Sequence, residues 1–242
     1  LGMALDALRQ DPSLGSFRIW HNGGSSAFVI ESLHQVLNLS ADQCIDARAC
    51  PNICADRLLV PAFAGAFGWP SGPAQEWLRC RFLPQEEGVS GRTGEGEGRD
   101  RLWLLRSPSS RRLVHGQQEC LCALQPLGFR AIETEGLTIA EQASLLASAE
   151  CVVSPHGAAL ANLVFASPGT RVLELHQPGY SPPYFHALTA HRRLVLASCE
   201  QQERPGPLYS DLLYEGPIVE PIVLEPQTVT QAVHALLSVP MA

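Results

Sequence analysis

The side chains best suited to chemistry gather in one apolar segment. Residues 151–175 read CVVSPHGAALANLVFASPGTRVLEL, with His156, Asn162 and Glu174 as their notable polar groups. A histidine and a glycine at a tight turn, followed by small residues that open a helix, would leave free N–H groups at Gly157 and Ala158. Such a helix start suits an anion, above all a phosphate. Asn162, in the second turn of that helix, would reach the ligand or bond to a neighbouring loop. Glu174, near the carboxyl end of the following strand, is placed for the two hydroxyls of a ribose, because a carboxylate in so apolar a strand needs a partner. Arg106, Arg111 and Arg112 would supply the positive charge that a diphosphate requires.

These groups need a frame, and hydrophobic patterning supplies one. Residues 151–154 and 170–175 read as buried strands, punctuated by Pro155 and by Pro168-Gly169, with a helix over 158–166 between them. Further strands are expected over 101–106, 129–133 and 193–197. Helices are expected over 117–127, closed by Gly128 as a C′ glycine, over 138–149, opened by a Thr138–Glu141 capping box, and over 182–191. Strict alternation of strand and helix makes a doubly wound parallel sheet. Ligands of such sheets bind at the carboxyl ends of the strands, where Arg106, His156 and Glu174 all fall.

The motifs resemble glycosyltransferase family 61. In that family a strand ends in G/S-P-H-G-A, a short helix carries L-x-N-x-x-F, and P-G precedes a strand ending in E-L or E-I. Here these are Ser154-Pro155-His156-Gly157-Ala158, residues 160–165, Pro168-Gly169 and Glu174-Leu175. The likeness spans about residues 101–198. Arg106, Arg111 and Arg112 resemble an R…R-R-x-L/I pattern assigned in the family to the diphosphate. The resemblance implies a GT-B-like α/β fold, with a C-terminal doubly wound parallel-sheet donor domain and a short N-terminal α/β acceptor domain. It implies inverting transfer of a hexosyl or pentosyl group, without metal or other cofactor, from a nucleotide sugar (a UDP-linked one is expected) to a hydroxyl of a glycan or glycoprotein. Inversion needs a general base, expected from the first domain. The family's N-x-x-H or H-F-x-x-D/E segment is met loosely by SAFVIESLHQVL, residues 26–37. Ala27 stands where the family often has histidine, and Glu31 near its acidic position is the candidate base. That departure, with a first domain shorter than the usual size, leaves open a non-catalytic nucleotide- or glycan-binding member.

Composition bounds the rest. The net charge of −7, without a basic tail, argues against a nucleic-acid partner. All 17 basic residues are arginine, which excludes Schiff-base and P-loop lysine chemistry. No apolar run reaches the ~20 residues of a membrane span. There is no G-x-S-x-G, and Ser154 precedes a proline, so a serine hydrolase is poorly supported. Domains are expected over 1–84 and 101–242, joined by a glycine-rich linker over 85–100. In the first, helices over 27–37 and 74–82 and a strand over 58–63 are expected. A last helix with Val229, Val233 and Leu236 on one face would cross back to the first domain, as in GT-B folds. Cys44, Cys50, Cys54 and Cys80 would form disulfides in an oxidising compartment, favouring the ER or Golgi lumen over the cytoplasm, or, against the usual ligand spacing, a zinc site. Cys120, Cys122, Cys151 and Cys199 read as small buried hydrophobes.

Overall fold

The computed structural model describes residues 1–11, 13, 16–24, 26–62, 65–66, 69–83, 100–106, 114–177, 179–200 and 221–240. Arg111, Arg112 and nearly all of the expected linker lie outside the described residues. The chain divides into two compact units, Leu1–Pro84 with Thr138–Ala140, and Gln85–Leu137 with Glu141–Ala242.

The first unit is small and mostly helical. Helix α1 (Gly2–Arg9) buries Leu5. Strand β1 (Ile19–His21) pairs in parallel with β2 (Cys44–Asp46). Between them, α2 (Ala27–Ile30) widens into a π-helix over Glu31–Val36. A two-residue antiparallel pair, β3 (Gly65–Ala66) and β4 (Trp69–Pro70), precedes α3 (Gly72–Phe82), whose N-cap Ser71 accepts from the Ala74 N–H. Leu5, Ile19, Leu33, Leu37 and Leu39 form the core, with Trp77 packed against it. Asp6 ties α1 to α3: it accepts from Trp77 Nε1 at 2.7 Å and from Arg81 at 2.8 Å. The Trp77 hydrogen bond is the main reason its carboxyl sits below the usual aspartate range.

Three expectations fail in this unit: a single helix over 27–37, a strand over 58–63 and disulfides among its four cysteines. The segment over 27–37 is not one α-helix. Its wide turn leaves Phe28 61% exposed while Glu31 and Leu33 are buried. Residues 58–62 form no strand, and Val60 is 79% exposed, because a β-prone run without a partner strand has nothing to pair with. The four cysteines of this unit, like the other four of the chain, are free thiols.

The second unit is built on a five-stranded, wholly parallel sheet. Its strands are β5 (Asp100–Leu104), β7 (Phe129–Ile132), β8 (Ala149–Pro155), β9 (Arg171–His176) and β10 (Val195–Glu200). A short parallel pair, β6 (Val114–His115) and β11 (Ile222–Val223), stands apart from it. The spatial order is β10-β9-β8-β5-β7. Side chains alternate across the sheet. Trp103, Cys151, Val153, Leu173 and Leu175 fall on one face and pack with Cys120, Leu121 and Leu124 of α4 (Gln117–Leu124). Val229, Val233 and Leu236 of α7 (Pro226–Leu237) complete that cluster. The last helix therefore docks on its own sheet, and Arg171 holds the chain just beyond it through the Val239 carbonyl. Burial pushes the Cys120 and Cys151 thiols up to about 12, so they are inert core atoms, whereas Cys122 is exposed.

Helices α5 (Ile139–Ser148) and α6 (His186–Arg192) and a 3₁₀ helix over Ala158–Phe165 complete the alternation. Gly128 closes the helical turn after α4 at φ +80°, a conformation that glycine adopts without strain. At the amino edge of the sheet Glu150 accepts two hydrogen bonds from Arg101, at 3.0 and 3.3 Å, with Arg171 at 3.7 Å. That edge is tied off by ion pairs. The opposite edge carries Arg106, His156 and Glu174.

Candidate functional site

The strand order fixes where a ligand belongs. Counted along the chain, the sheet runs 2-1-3-4-5 from one edge, so the chain passes from β5 to β7 on one side and then crosses back to β8 on the other. In open parallel sheets the ligand site lies at such a reversal, here at the carboxyl ends of β5 and β8. Arg106 follows β5, and His156 and Gly157 follow β8.

The structure brings these three together. Arg106 Nη1 donates to the His156 carbonyl at 3.0 Å. Its main chain is clamped by Gln117 at the start of α4, whose Oε1 accepts from the Arg106 N–H at 3.1 Å. A Cβ on Gly157 would lie 2.9 Å from Arg106 Nη2 and 3.4 Å from its Cζ. Glycine is thus required there for the close approach of the guanidinium. Gly157→Ala is expected to swing Arg106 away from these strand ends at little cost in stability. Affinity for a diphosphate ligand should fall about tenfold, about 1.4 kcal/mol, in a titration, with the unfolding midpoint nearly unchanged.

His156 begins the turn with its N–H bonded to the Leu175 carbonyl at 2.8 Å. Its ring is 3% exposed. It stacks on His176 at 5.1 Å between centroids, with Tyr180, Tyr184 and Phe185 around it at 5.6–5.9 Å. Because a carboxylate only accepts, His156 Nδ1 is the donor to Glu174 Oε1, at 2.5 Å. The other oxygen, Oε2, lies 3.5 Å from His176 Nε2. Burial alone would raise the Glu174 carboxyl. The hydrogen bonds from His156 and then His176 outweigh it and hold the carboxyl below its ordinary value.

Glu174 lies near the carboxyl end of β9 as expected, in surroundings other than those expected. It is 1% exposed, with both oxygens engaged by imidazoles rather than turned to ribose hydroxyls. Its partner His176 was legible only as the residue two positions on, on the same face of β9. These three residues bring possible ligand atoms within 4.8 Å of one another. Two ligands of one tetrahedral zinc stand about 3.3 Å apart, given bonds of about 2.0 Å. The 2.5 Å contact between His156 Nδ1 and Glu174 Oε1 is closer than that and is a hydrogen bond.

Ala158 opens the 3₁₀ helix, with Gly157 at its N-cap. The helix is tighter than the α-helix expected over 158–166. Asn162 Nδ2 donates to Gln142 Oε1 at 2.6 Å, and Gln142 Nε2 in turn donates to the Thr134 and Leu137 carbonyls. Asn162 thus bonds to a helix residue, Gln142 of α5, and reaches the loop only through it. It steadies the loop after β7, also at the carboxyl edge.

Glu31, the candidate base, is 8% exposed, and its carboxylate accepts from the N–H groups of Ile139 and Ala140 at 2.8 and 3.2 Å. These residues group with Glu31 in the first unit. Glu31 therefore caps the backbone donors at a helix start. Glu31→Ala should lower stability by about 1–2 kcal/mol in urea unfolding. A base would behave otherwise: Glu31→Gln would abolish turnover and leave stability untouched.

Comparison with known proteins places the chain in a family. The family described as Glycosyltransferase 61 matches residues 14–173, more than half of the chain. No curated protein matches.

Proposed function

The chain belongs to glycosyltransferase family 61, and we propose that it is an inverting transferase using a nucleotide sugar, UDP-linked, with a glycan or glycoprotein hydroxyl as acceptor. In this reading the architecture is GT-B-like, the parallel-sheet unit binding the donor and the first unit serving the acceptor. The observation that carries it is Arg106 against His156 and Gly157 at the switch point of the sheet. A leaving diphosphate needs positive charge and N–H donors, and these would come from Arg106, from the Gly157 and Ala158 backbone, and from Arg111 and Arg112. Asn162 holds the neighbouring loop in place. No step requires a bound cofactor or metal.

Isothermal titration with UDP tests the donor half of this reading. Binding is expected, and its absence would defeat it. Turnover of UDP-sugars over a panel of glycan acceptors tests the rest.

The engagement of both Glu31 oxygens favours a second reading, a member that binds nucleotide or glycan without transferring. Transfer of label to any acceptor would exclude it.

A further inference from the structure

Resting on the nucleotide reading above, we infer that His156, Glu174 and His176 act as one proton-holding unit that takes up a proton from solvent when a diphosphate binds, so that His156 Nε2–H donates to the phosphate. Glu174 is then a positioning residue: it acts through His156 and does not touch the ligand.

Three observations carry this. First, Glu174 Oε1 takes the Nδ1–H of His156 at 2.5 Å, which fixes the ring and leaves Nε2 as the ring nitrogen without a hydrogen-bond partner among the described residues. Second, the second oxygen is held by His176, whose own Nδ1 is buried without a partner, so the carboxylate has no freedom to swing toward a ligand. Third, the chain has no lysine.

The charge balance follows. With both imidazoles neutral, the buried cluster carries the net charge of Glu174, and a diphosphate brought beside it meets repulsion as well as desolvation. One proton on His156 cancels the carboxylate and converts Nε2 from acceptor to donor. The other described charged or titratable groups facing the ring are Arg106, His176, Tyr180 and Tyr184. Arg106 already carries its proton, and a neutral tyrosine has none to gain, so His156 is the group that changes. Placing that proton on His156 rather than His176 follows from its closer carboxylate contact, 2.5 Å against 3.5 Å.

The test is titration of the full chain with UDP at one neutral pH in two buffers, PIPES with a small ionisation heat and Tris with a large one. The apparent enthalpy should differ between them by an amount equal to about one proton taken up per UDP bound. In His156→Gln the uptake should vanish while weakened binding persists. In Glu174→Gln it should fall well below the wild-type value. If Glu174→Gln does not fold by circular dichroism, the wild type and His156→Gln decide the matter. Equal enthalpies in the two buffers, or undiminished uptake in His156→Gln, would overturn the inference and leave nucleotide binding intact. A Glu174 that touched the ribose instead would lower affinity in Glu174→Gln without altering the proton count. No heat with UDP in either buffer would overturn both this inference and the reading beneath it.

Discussion

Arg106→Ala weakens UDP binding by about two orders of magnitude, about 2.7 kcal/mol, in isothermal titration. Removing a half-buried guanidinium from a phosphate costs more than removing a surface charge, because water does not replace it at the strand ends. The variant also deprives the His156 carbonyl of its donor at 3.0 Å, so the turn itself loosens. Arg106→Lys separates the two effects. It keeps the charge but not the planar fork, and should recover only part of the affinity. The fold should survive both changes, since the main chain of Arg106 stays clamped by Gln117. Salt adds a check: the wild type should lose affinity as ionic strength rises, and Arg106→Ala should lose less.

Glu174→Ala has the largest expected effect on stability, a loss of about 3–5 kcal/mol in urea unfolding. The cost comes from stranding two imidazole N–H groups in a buried site, with a void where the side chain was. Its pH dependence has a definite sign. The folded carboxyl lies below its ordinary value, so on acidification the unfolded chain takes up the proton first. The contribution of Glu174 is therefore complete above the unfolded value of about 4.3 and is lost as pH falls through the lower folded value. Unfolding midpoints measured across that range should fall steeply for the wild type and more gently for Glu174→Gln. Parallel curves would mean that the cluster does not hold Glu174 ionised.

The central part of the chain was legible because its local signals agree. Strands β8 and β9 are apolar runs cut by Pro155 and by Pro168-Gly169, and Gly128 sits in the positive-φ conformation that its place after a helix demands. Position at a strand's carboxyl end was enough to bring Arg106 and His156 together, since the topology follows from the alternation of elements. What the sequence left open was decided by tertiary partners. The apolar spacing over 27–37 fits an α-helix, and the widening into a π-turn goes with the burial of Glu31 on backbone donors more than 100 positions away in sequence. The LLV run over 58–60 has β propensity but no neighbouring strand, and propensity of this kind counts only when a sheet is there to receive it.

The amphipathic face of α7 was readable as a face, whereas its docking surface on α4 was not. His176 shows the same limit at the site. Two residues beyond Glu174, it shares a sheet face, but only the fold reveals that one carboxylate serves two imidazoles. The ribose role expected for Glu174 rested on its strand-end position and on a buried carboxylate's need of a partner, and His156 and His176 meet that need.

A structure determined with UDP bound tests the nucleotide assignment most directly. The diphosphate oxygens should lie within hydrogen-bond reach of the Arg106 guanidinium and His156 Nε2, at the carboxyl ends of β5 and β8. A nucleotide seated elsewhere, with Arg106 turned from it and His156 still walled in by its rings, would contradict the account.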